Sequence, residues 1–175
     1  MRAHQLNEEV LVADGPLVEL VADDIAELKE RALGNARRRI RICAHPDTDA
    51  AVHEMLIVHT RGAYVRPHKH LGKSESVHVL EGEADVVLFD DAGGVDAVVP
   101  IGAYDSGRRF FYRLDAPVFH TFLIGGEFLV MHEVTKGPFR REDTVFAPWS
   151  PAEDDAAAAD AFQRELAATI GSRVA

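Results

Sequence analysis

Hydrophobic and polar residues alternate through the middle of the chain, and this period of two is typical of β-strands. Segments rich in glycine and aspartate interrupt the alternation at short intervals, as turns do. Many short strands at regular spacing favour a β-sandwich or a β-barrel. The predicted strands are residues 38–43, 52–60, 63–68, 75–80, 84–89, 95–101, 109–114, 118–124 and 127–134, with shorter possible strands at 10–12 and 17–21.

Two segments outside this region show helical spacing of apolar residues instead. Residues 22–33 form the first, where Asp23 and Asp24 are expected to supply an N-cap and Gly34 to end the helix. Residues 152–170 form the second, which is expected to pack on the outside of the barrel. The apolar positions that define the two helices are Ile25, Leu28, Ala32, Leu33, Phe162, Leu166 and Ile170.

Length and composition narrow the class of protein. The 175 residues suit a single domain, with an extension and helix at 1–36, a barrel at 37–135 and a proline-rich segment and helix at 136–175. The net charge of −10 argues against nucleic acid and against an anionic membrane surface as partners. Cys43 is the only cysteine, and no signal peptide or membrane span is predicted, so we expect a cytoplasmic protein.

Histidines and a glutamate mark the chemistry of the chain. His68 and His70 are two residues apart on a predicted strand, so their side chains lie on the same face and can reach one ion. Glu75 follows a short turn, and an antiparallel return would bring its carboxylate to the same depth. Imidazole and carboxylate together suit a divalent first-row metal. The sequence therefore predicts a metal site, with His120 on a distant apolar strand as the candidate fourth ligand.

The spacing Gly62-x5-His68-x-His70-x4-Glu75-x6-Gly82 resembles the first motif of the cupin superfamily at every fixed position. The segment around His120 is similar to the second cupin motif more loosely. Asp115, Pro117 and Ile124 stand where that motif usually has proline, glycine and asparagine. The wider chain, from about residue 25 to residue 162, resembles the WbuC-type cupin-fold metalloproteins, a group associated with surface-polysaccharide gene clusters. The stretches that carry this narrower resemblance include Tyr64-Val-Arg-Pro-His68-Lys-His70 and Phe146-Ala-Pro-Trp-Ser-Pro-Ala-Glu153.

This resemblance implies an all-β fold with flanking helices, a cupin-type jelly-roll β-barrel. It also implies one metal ion bound by His68, His70, Glu75 and His120, for which iron, manganese, nickel and zinc all remain open. A homodimer is expected, since cupins commonly pair through barrel edges. No general acid or base stands out, so the catalytic residues are unknown. We expect a metal-dependent isomerase, epimerase or dioxygenase acting on a small polar or sugar-type substrate, or else a non-catalytic binding protein for such a ligand.

Two further residues are predicted to contact a bound ligand. Tyr64 and Arg66 share the parity of His68 and His70, so a regular strand would point all four side chains inward. Arg66 would then clamp an anionic ligand, or pair with Glu75 or Glu54 in a purely structural role. The other histidines are not expected to bind metal: His4, His45, His53, His59, His78 and His132, with exposure predicted for His53 and His59 and an outward direction for His78.

Overall fold

The computed structural model describes residues 1–174, with side chains through Gly171. This part of the chain contains ten strands, two α-helices and two 3₁₀ helices of three residues each, Tyr104–Ser106 and Arg141–Asp143. The strands and α-helices are β1 (Ala3–Asn7), β2 (Val10–Ala13), α1 (Ala22–Leu33), β3 (Arg39–Cys43), β4 (Val52–Thr60), β5 (His68–His70), β6 (Glu75–Phe89), β7 (Val95–Gly102), β8 (Phe111–Leu114), β9 (Phe119–Lys136), β10 (Thr144–Phe146) and α2 (Ala156–Val174).

Two long antiparallel strands, β6 and β9, bend so that each contributes to both faces of the barrel. Residues 75–79 of β6 pair with residues 131–135 of β9 and with β8, whereas residues 84–89 pair with residues 119–124 and with β7. The bend lies at Gly82, which has φ +80°, and a Cβ atom there would come 1.9 Å from the carbonyl oxygen of Phe128. Only glycine fits this close approach.

The hydrophobic core fills the space between the two faces. Val77 and Met131 enter the core from the part of the ladder where residues 75–79 pair with residues 131–135. Val86 and Phe122 enter it from the part where residues 84–89 pair with residues 119–124. All four side chains are buried, in keeping with alternate residues of a strand pointing to opposite sides. The result is a jelly-roll β-barrel of the cupin type with two flanking helices, which confirms the predicted fold class.

Each helix covers the outer surface of one face. Leu28 of α1 packs with Ile40 and Ile42 of β3, while Leu166 and Ile170 of α2 pack against the other face. The bounds predicted for the first helix, 22–33, are confirmed. Its cap differs from the prediction, because the N-cap residue is Val21, and Asp24 accepts a hydrogen bond of 2.8 Å from the Val21 amide. The second helix begins at Ala156, where Asp155 accepts a bond of 3.0 Å from the Ala158 amide.

Several predicted strands have different limits in the structure. Residues 17–21 form no strand, and residues 63–67 are irregular, so His68 is the only residue of the strand predicted at 63–68 that lies in a described strand, β5. The two strands predicted at 75–80 and 84–89 are one continuous strand. The pairs at 118–124 and 127–134 are likewise joined in β9. The pattern did not predict β1, which is short and mostly exposed, or β10, which is short and half-buried.

A group of charges joins the C-terminal segment to the barrel. Arg37 and Arg39 each pair with Glu9, at 3.0 and 2.8 Å, and each also pairs with Glu153. Ile40 and Ile42 point the other way, toward α1. Residues 39–41 of the basic run 37–41 therefore lie on a strand with one polar face, as their alternation indicates, whereas residues 37 and 38 precede that strand. Arg37 and Arg39 bind carboxylates of this chain, and Arg38 donates a hydrogen bond to the Arg61 carbonyl.

Two histidines of β4 lie inside the protein, contrary to the prediction that they would be exposed. The side chains of His53 and His59 are 6% and 5% exposed. His53 stacks on His45 with ring centroids 4.0 Å apart, and His59 lies against Phe122. The apolar residues between them, Met55 and Ile57, share their face of the strand and belong to the core. The pairing of β4 between β3 and β9 decides this burial, and alternation alone does not show it.

His59 should make the metal-free protein sensitive to acid. Burial lowers the pKa of His59 from 6.5 to about 3. As the pH falls below 6.5, His59 binds a proton in the unfolded chain, whereas in the folded protein it stays neutral until about pH 3. Stability should therefore decline across this window, by up to about 1.4 kcal/mol per pH unit for this proton. In His59→Gln the slope of unfolding free energy against pH should be smaller by that amount. The same substitution at the exposed His78 should leave the slope unchanged, and an unaltered slope in His59→Gln would contradict the prediction.

Candidate metal centre

Four side chains that could bind a metal meet at one end of the barrel interior. His68 and His70 come from β5, which pairs with β9 through a single register position, His68 opposite His120. Glu75 begins β6 on the facing half of the ladder. The structure thus brings together all four predicted ligands, although they are up to 52 residues apart in the chain.

One ligand atom from each of these residues lies within 4.8 Å of the others. Glu75 Oε2 is 3.3 Å from His70 Nε2, and Glu75 Oε1 is 3.2 Å from His120 Nε2. His120 and Glu75 are almost fully buried, at 1% and 4% exposure, whereas the His70 side chain is 20% exposed. The cluster is therefore enclosed on its inner side and open to solvent at His70.

Each imidazole is held by its Nδ1 atom and directs Nε2 into the cluster. His68 Nδ1 bonds the Arg66 carbonyl, and His120 Nδ1 bonds the Val118 carbonyl, each at 2.9 Å. His70 Nδ1 lies 3.3 Å from the Thr144 hydroxyl of β10. A carbonyl can only accept, so Nδ1 carries the proton in His68 and His120, and their neutral rings offer a lone pair at Nε2.

One of these nitrogens provides a test of fit for a metal. His120 Nε2 is fully buried and makes no hydrogen bond of acceptable geometry, even though the Glu75 carboxylate is adjacent. A buried nitrogen without a partner is costly, and a cation between it and the carboxylate would satisfy both. Three imidazoles and one carboxylate are a donor set suited to first-row divalent metals. The residues present fit such an ion.

The electrostatics of the cluster favour an ionised carboxylate. Burial alone would raise the pKa of Glu75, but the adjacent imidazoles, His120 first and His70 after it, lower it well below its ordinary value. Burial would lower the pKa of His120, and Glu75 outweighs this and raises it. Burial and the neighbouring His120 lower the pKa of His68 to about 3. A cation entering the cluster therefore meets a charged Glu75 and a neutral His68.

Tyr112 of β8 contacts the cluster through Glu75, and the sequence pattern did not predict this contact. Its hydroxyl donates a hydrogen bond of 3.0 Å to Glu75 Oε1. Burial and the carboxylates of Glu75 and Glu133 raise the pKa of Tyr112 well above its ordinary value, so the phenol keeps its proton. The sequence carries no motif for this contact, because it depends on Tyr112 lying opposite Val77 in the pairing of β8 with β6.

The inward direction predicted for Tyr64 and Arg66 is wrong. Residues 63–67 are not strand, and it is Val65, between the two, that enters the core. The Tyr64 hydroxyl donates to the Pro151 carbonyl at 3.0 Å. Arg66 Nε donates to Ser150 Oγ at 3.0 Å, and its guanidinium lies 4.8 Å from the centre of the Phe146 ring.

These contacts place both side chains against the C-terminal segment. No ion pair of Arg66 with Glu75 or Glu54 occurs within residues 1–174. Contact of Tyr64 and Arg66 with a bound ligand stays a prediction. Of the remaining histidines, His78 is exposed on the outer face, as expected, and His132 lies 4.0 Å from Glu54 on the same outer face.

One solved structure agrees with this architecture, and one family model matches part of the chain. A family model described as a domain of unknown function, DUF6016, matches residues 20–101. The search of curated proteins gives no match. A crystal structure of a Shewanella oneidensis protein is similar over 73% of this chain and 85% of that chain, with 10% identity and a TM-score of 0.54.

None of the described helices combines the length and the apolar character needed to cross a membrane.

Two further solved structures have lower TM-scores. A Klebsiella pneumoniae protein with a double-stranded beta-helix domain matches at 16% identity and a TM-score of 0.48, over 62% of this chain and 79% of that chain. A mutant of Bacillus subtilis oxalate decarboxylase matches at 18% identity and a TM-score of 0.45, over 55% of this chain. The match spans 24% of the decarboxylase chain, about a quarter of its length. These likenesses concern the fold alone.

Tyr112→Phe should weaken metal binding without changing the fold. The substitution removes the hydrogen bond to Glu75 and keeps the ring, so a carboxylate ligand loses an orienting partner. Loss of such a contact typically lowers metal affinity by about tenfold or more. Competition with a chelator measures this affinity. Tyr104→Phe, at a side chain 77% exposed, is the matched control. Equal affinity in Tyr112→Phe and the control would show that Tyr112 does not support the site.

Arg66→Ala should lower the melting temperature and leave metal content intact. The loss of the hydrogen bonds to Ser150 and of the contact with Phe146 should cost about 2 kcal/mol. Arg141 lies 4.9 Å from the same ring, so Arg141→Ala, which keeps the Ser150 contacts, is the control and should cost less. A variant of Arg66 that melts normally but binds anions more weakly would instead favour the predicted anion clamp.

Proposed function

We propose that this chain is a metal-dependent enzyme of the cupin type that acts on a small polar or sugar-type substrate. The observation that carries the proposal is the convergence of three imidazole nitrogens and one carboxylate within 4.8 Å, where one of these nitrogens, His120 Nε2, is buried without a hydrogen-bond partner. His68, His70, Glu75 and His120 would hold the ion. The exposed side of His70 gives a small ligand access to the site.

The number of ligands supports catalysis over a purely structural role. Four protein ligands close a tetrahedral site, but they leave one or two positions free on a metal with octahedral coordination. A divalent ion bound there would act as a Lewis acid toward an oxygen of the substrate. The chain itself would orient that substrate, and the buried side of the cluster, at Glu75 and His120, would exclude water from it. Isomerisation, epimerisation and oxygen chemistry are the reaction classes we propose.

The narrower assignments rest on the sequence resemblance. We propose a WbuC-type protein, with a role in surface-polysaccharide metabolism and a cytoplasmic location. A single domain and a homodimer stay predictions. Aromatic side chains exposed near β8 support the dimer, since Tyr104, Phe110 and Phe111 are 77%, 40% and 53% exposed.

Metal content is the direct test of the proposal. Protein purified without chelators, or reconstituted with iron, manganese, nickel or zinc, should bind about one ion per chain. His120→Ala should abolish binding, because it removes the central buried nitrogen. His132→Ala, a histidine of the same strand on its outer face, should bind normally. Histidine ligands must be deprotonated, and the pKa of His120 is raised above its ordinary value of 6.5, so affinity should already fall as the pH drops toward 6.5 and below. Elemental analysis and pH-dependent chelator competition give these values.

A chain that takes up no metal under any of these conditions would contradict the proposal. For a chain that does bind metal, turnover assays with sugar nucleotides and small organic acids decide between enzyme and binding protein. Tight binding without turnover would favour the binding protein.

A further inference from the structure

One carboxyl group inside the barrel is not used by anything described so far. Glu133 of β9 makes no hydrogen bond and no ion pair with the residues that the structure describes. Its side chain is only partly accessible. Leaving a carboxyl group partly desolvated without a partner is unfavourable, and such a group is a candidate for contact with a ligand.

The strand register shows where Glu133 points. It lies between Met55 of β4 and Val77 of β6, and Cys43 and Tyr112 continue the same row on either side. Met55, Val77 and Cys43 all belong to the core cluster between the two faces of the barrel. Side chains that lie directly opposite one another in a sheet share a face. Glu133 therefore points into the barrel.

The same register places Glu133 beside the metal centre. Glu75 lies opposite Thr135, so Glu133 is its diagonal neighbour, at a separation of about 7–8 Å between Cα atoms. Burial and the charge of Glu75 raise the pKa of Glu133 to about 7, and the charges of Arg41 and His120 act in the opposite direction. The Glu133 carboxyl and two of the candidate ligands thus influence one another electrostatically.

We propose that Glu133 hydrogen-bonds a hydroxyl group of the ligand held at the metal centre, and that this ligand is a small polyhydroxylated acid. This inference rests on the proposed function. An octahedral ion held by the four residues of the metal centre would have room for two oxygen atoms of the ligand, and an α-hydroxycarboxylate would supply both. The group facing Glu133 must then be one that a carboxyl can hydrogen-bond, and a second carboxylate would be repelled by Glu133 and Glu75.

Two ligands that differ by one hydroxyl group test this proposal. Glycerate and lactate share the α-hydroxycarboxylate, and only glycerate has a hydroxyl at C3. At about pH 9, where Glu133 is ionised despite its raised pKa, cobalt-loaded wild-type protein should bind glycerate about tenfold more tightly than lactate, as expected for one hydrogen bond to a charged group. Calorimetry and the visible spectrum of cobalt both report binding.

Substitutions at Glu133 should remove this preference selectively. Glu133→Leu should bind the two acids equally, with lactate affinity and cobalt content unchanged. Glu133→Gln keeps the shape but makes only a neutral hydrogen bond, so about a threefold preference should remain. Glu54→Leu is the matched control, because Glu54 lies in the β4–β9 ladder that also contains Glu133 but is 53% exposed on its outer face. This variant should prefer glycerate over lactate as strongly as the wild type does.

Equal binding of the two acids by the wild type would overturn the proposal, and so would an undiminished preference in Glu133→Gln. The Gln variant decides the matter if Glu133→Leu does not fold. Failure of both acids to bind the cobalt-loaded protein also overturns the role of Glu133 and leaves the metal centre standing. Protein that takes up no cobalt contradicts the proposed function itself.

Discussion

The antiparallel pairing of β6 with β9 is the constraint on which the rest of the structure depends. These two strands pass from one face of the barrel to the other, so a single ladder sets the register of both. Glu75 begins the ladder on one face, and His120 lies near its opposite end, across from Leu88. The bend at Gly82 folds these two ends toward each other. Without that bend the carboxylate and the imidazole would lie at opposite ends of a flat sheet.

Burial of the metal-binding cluster disfavours the charged forms of its side chains, and contacts among these side chains offset that cost. Glu75 and His120 are both removed from water, and each shifts the pKa of the other toward its charged form. Tyr112 donates to the same carboxylate. Backbone carbonyls fix the rings of His68 and His120, so that the orientation of both imidazoles is set by the folded chain before any ion arrives.

The C-terminal segment completes the site from outside. Strand β10 adds to the edge of β5, with Thr144 opposite His70 and Phe146 opposite His68. Arg66 donates a hydrogen bond to Ser150 in the same segment, and Glu153 pairs with Arg39 of β3 and with Arg37 just before that strand. The segment therefore fixes β5, a strand of only three residues, in the position that the two histidines need.

The sequence by itself determined the class of fold, the first helix and the residues of the candidate metal centre. Alternation reveals strands because side-chain direction is a local property, and the spacing of His68, His70 and Glu75 lies within one hairpin-sized segment. The alternation of side chains predicted the wrong direction for Tyr64 and Arg66, because alternation holds only inside a paired strand and residues 63–67 are not paired. The burial of His53 and His59, the contact of Tyr112 with Glu75 and the position of Glu133 were decided by the tertiary structure. They depend on which strands lie side by side and in what register, and residues far apart in the chain become neighbours only when the barrel closes.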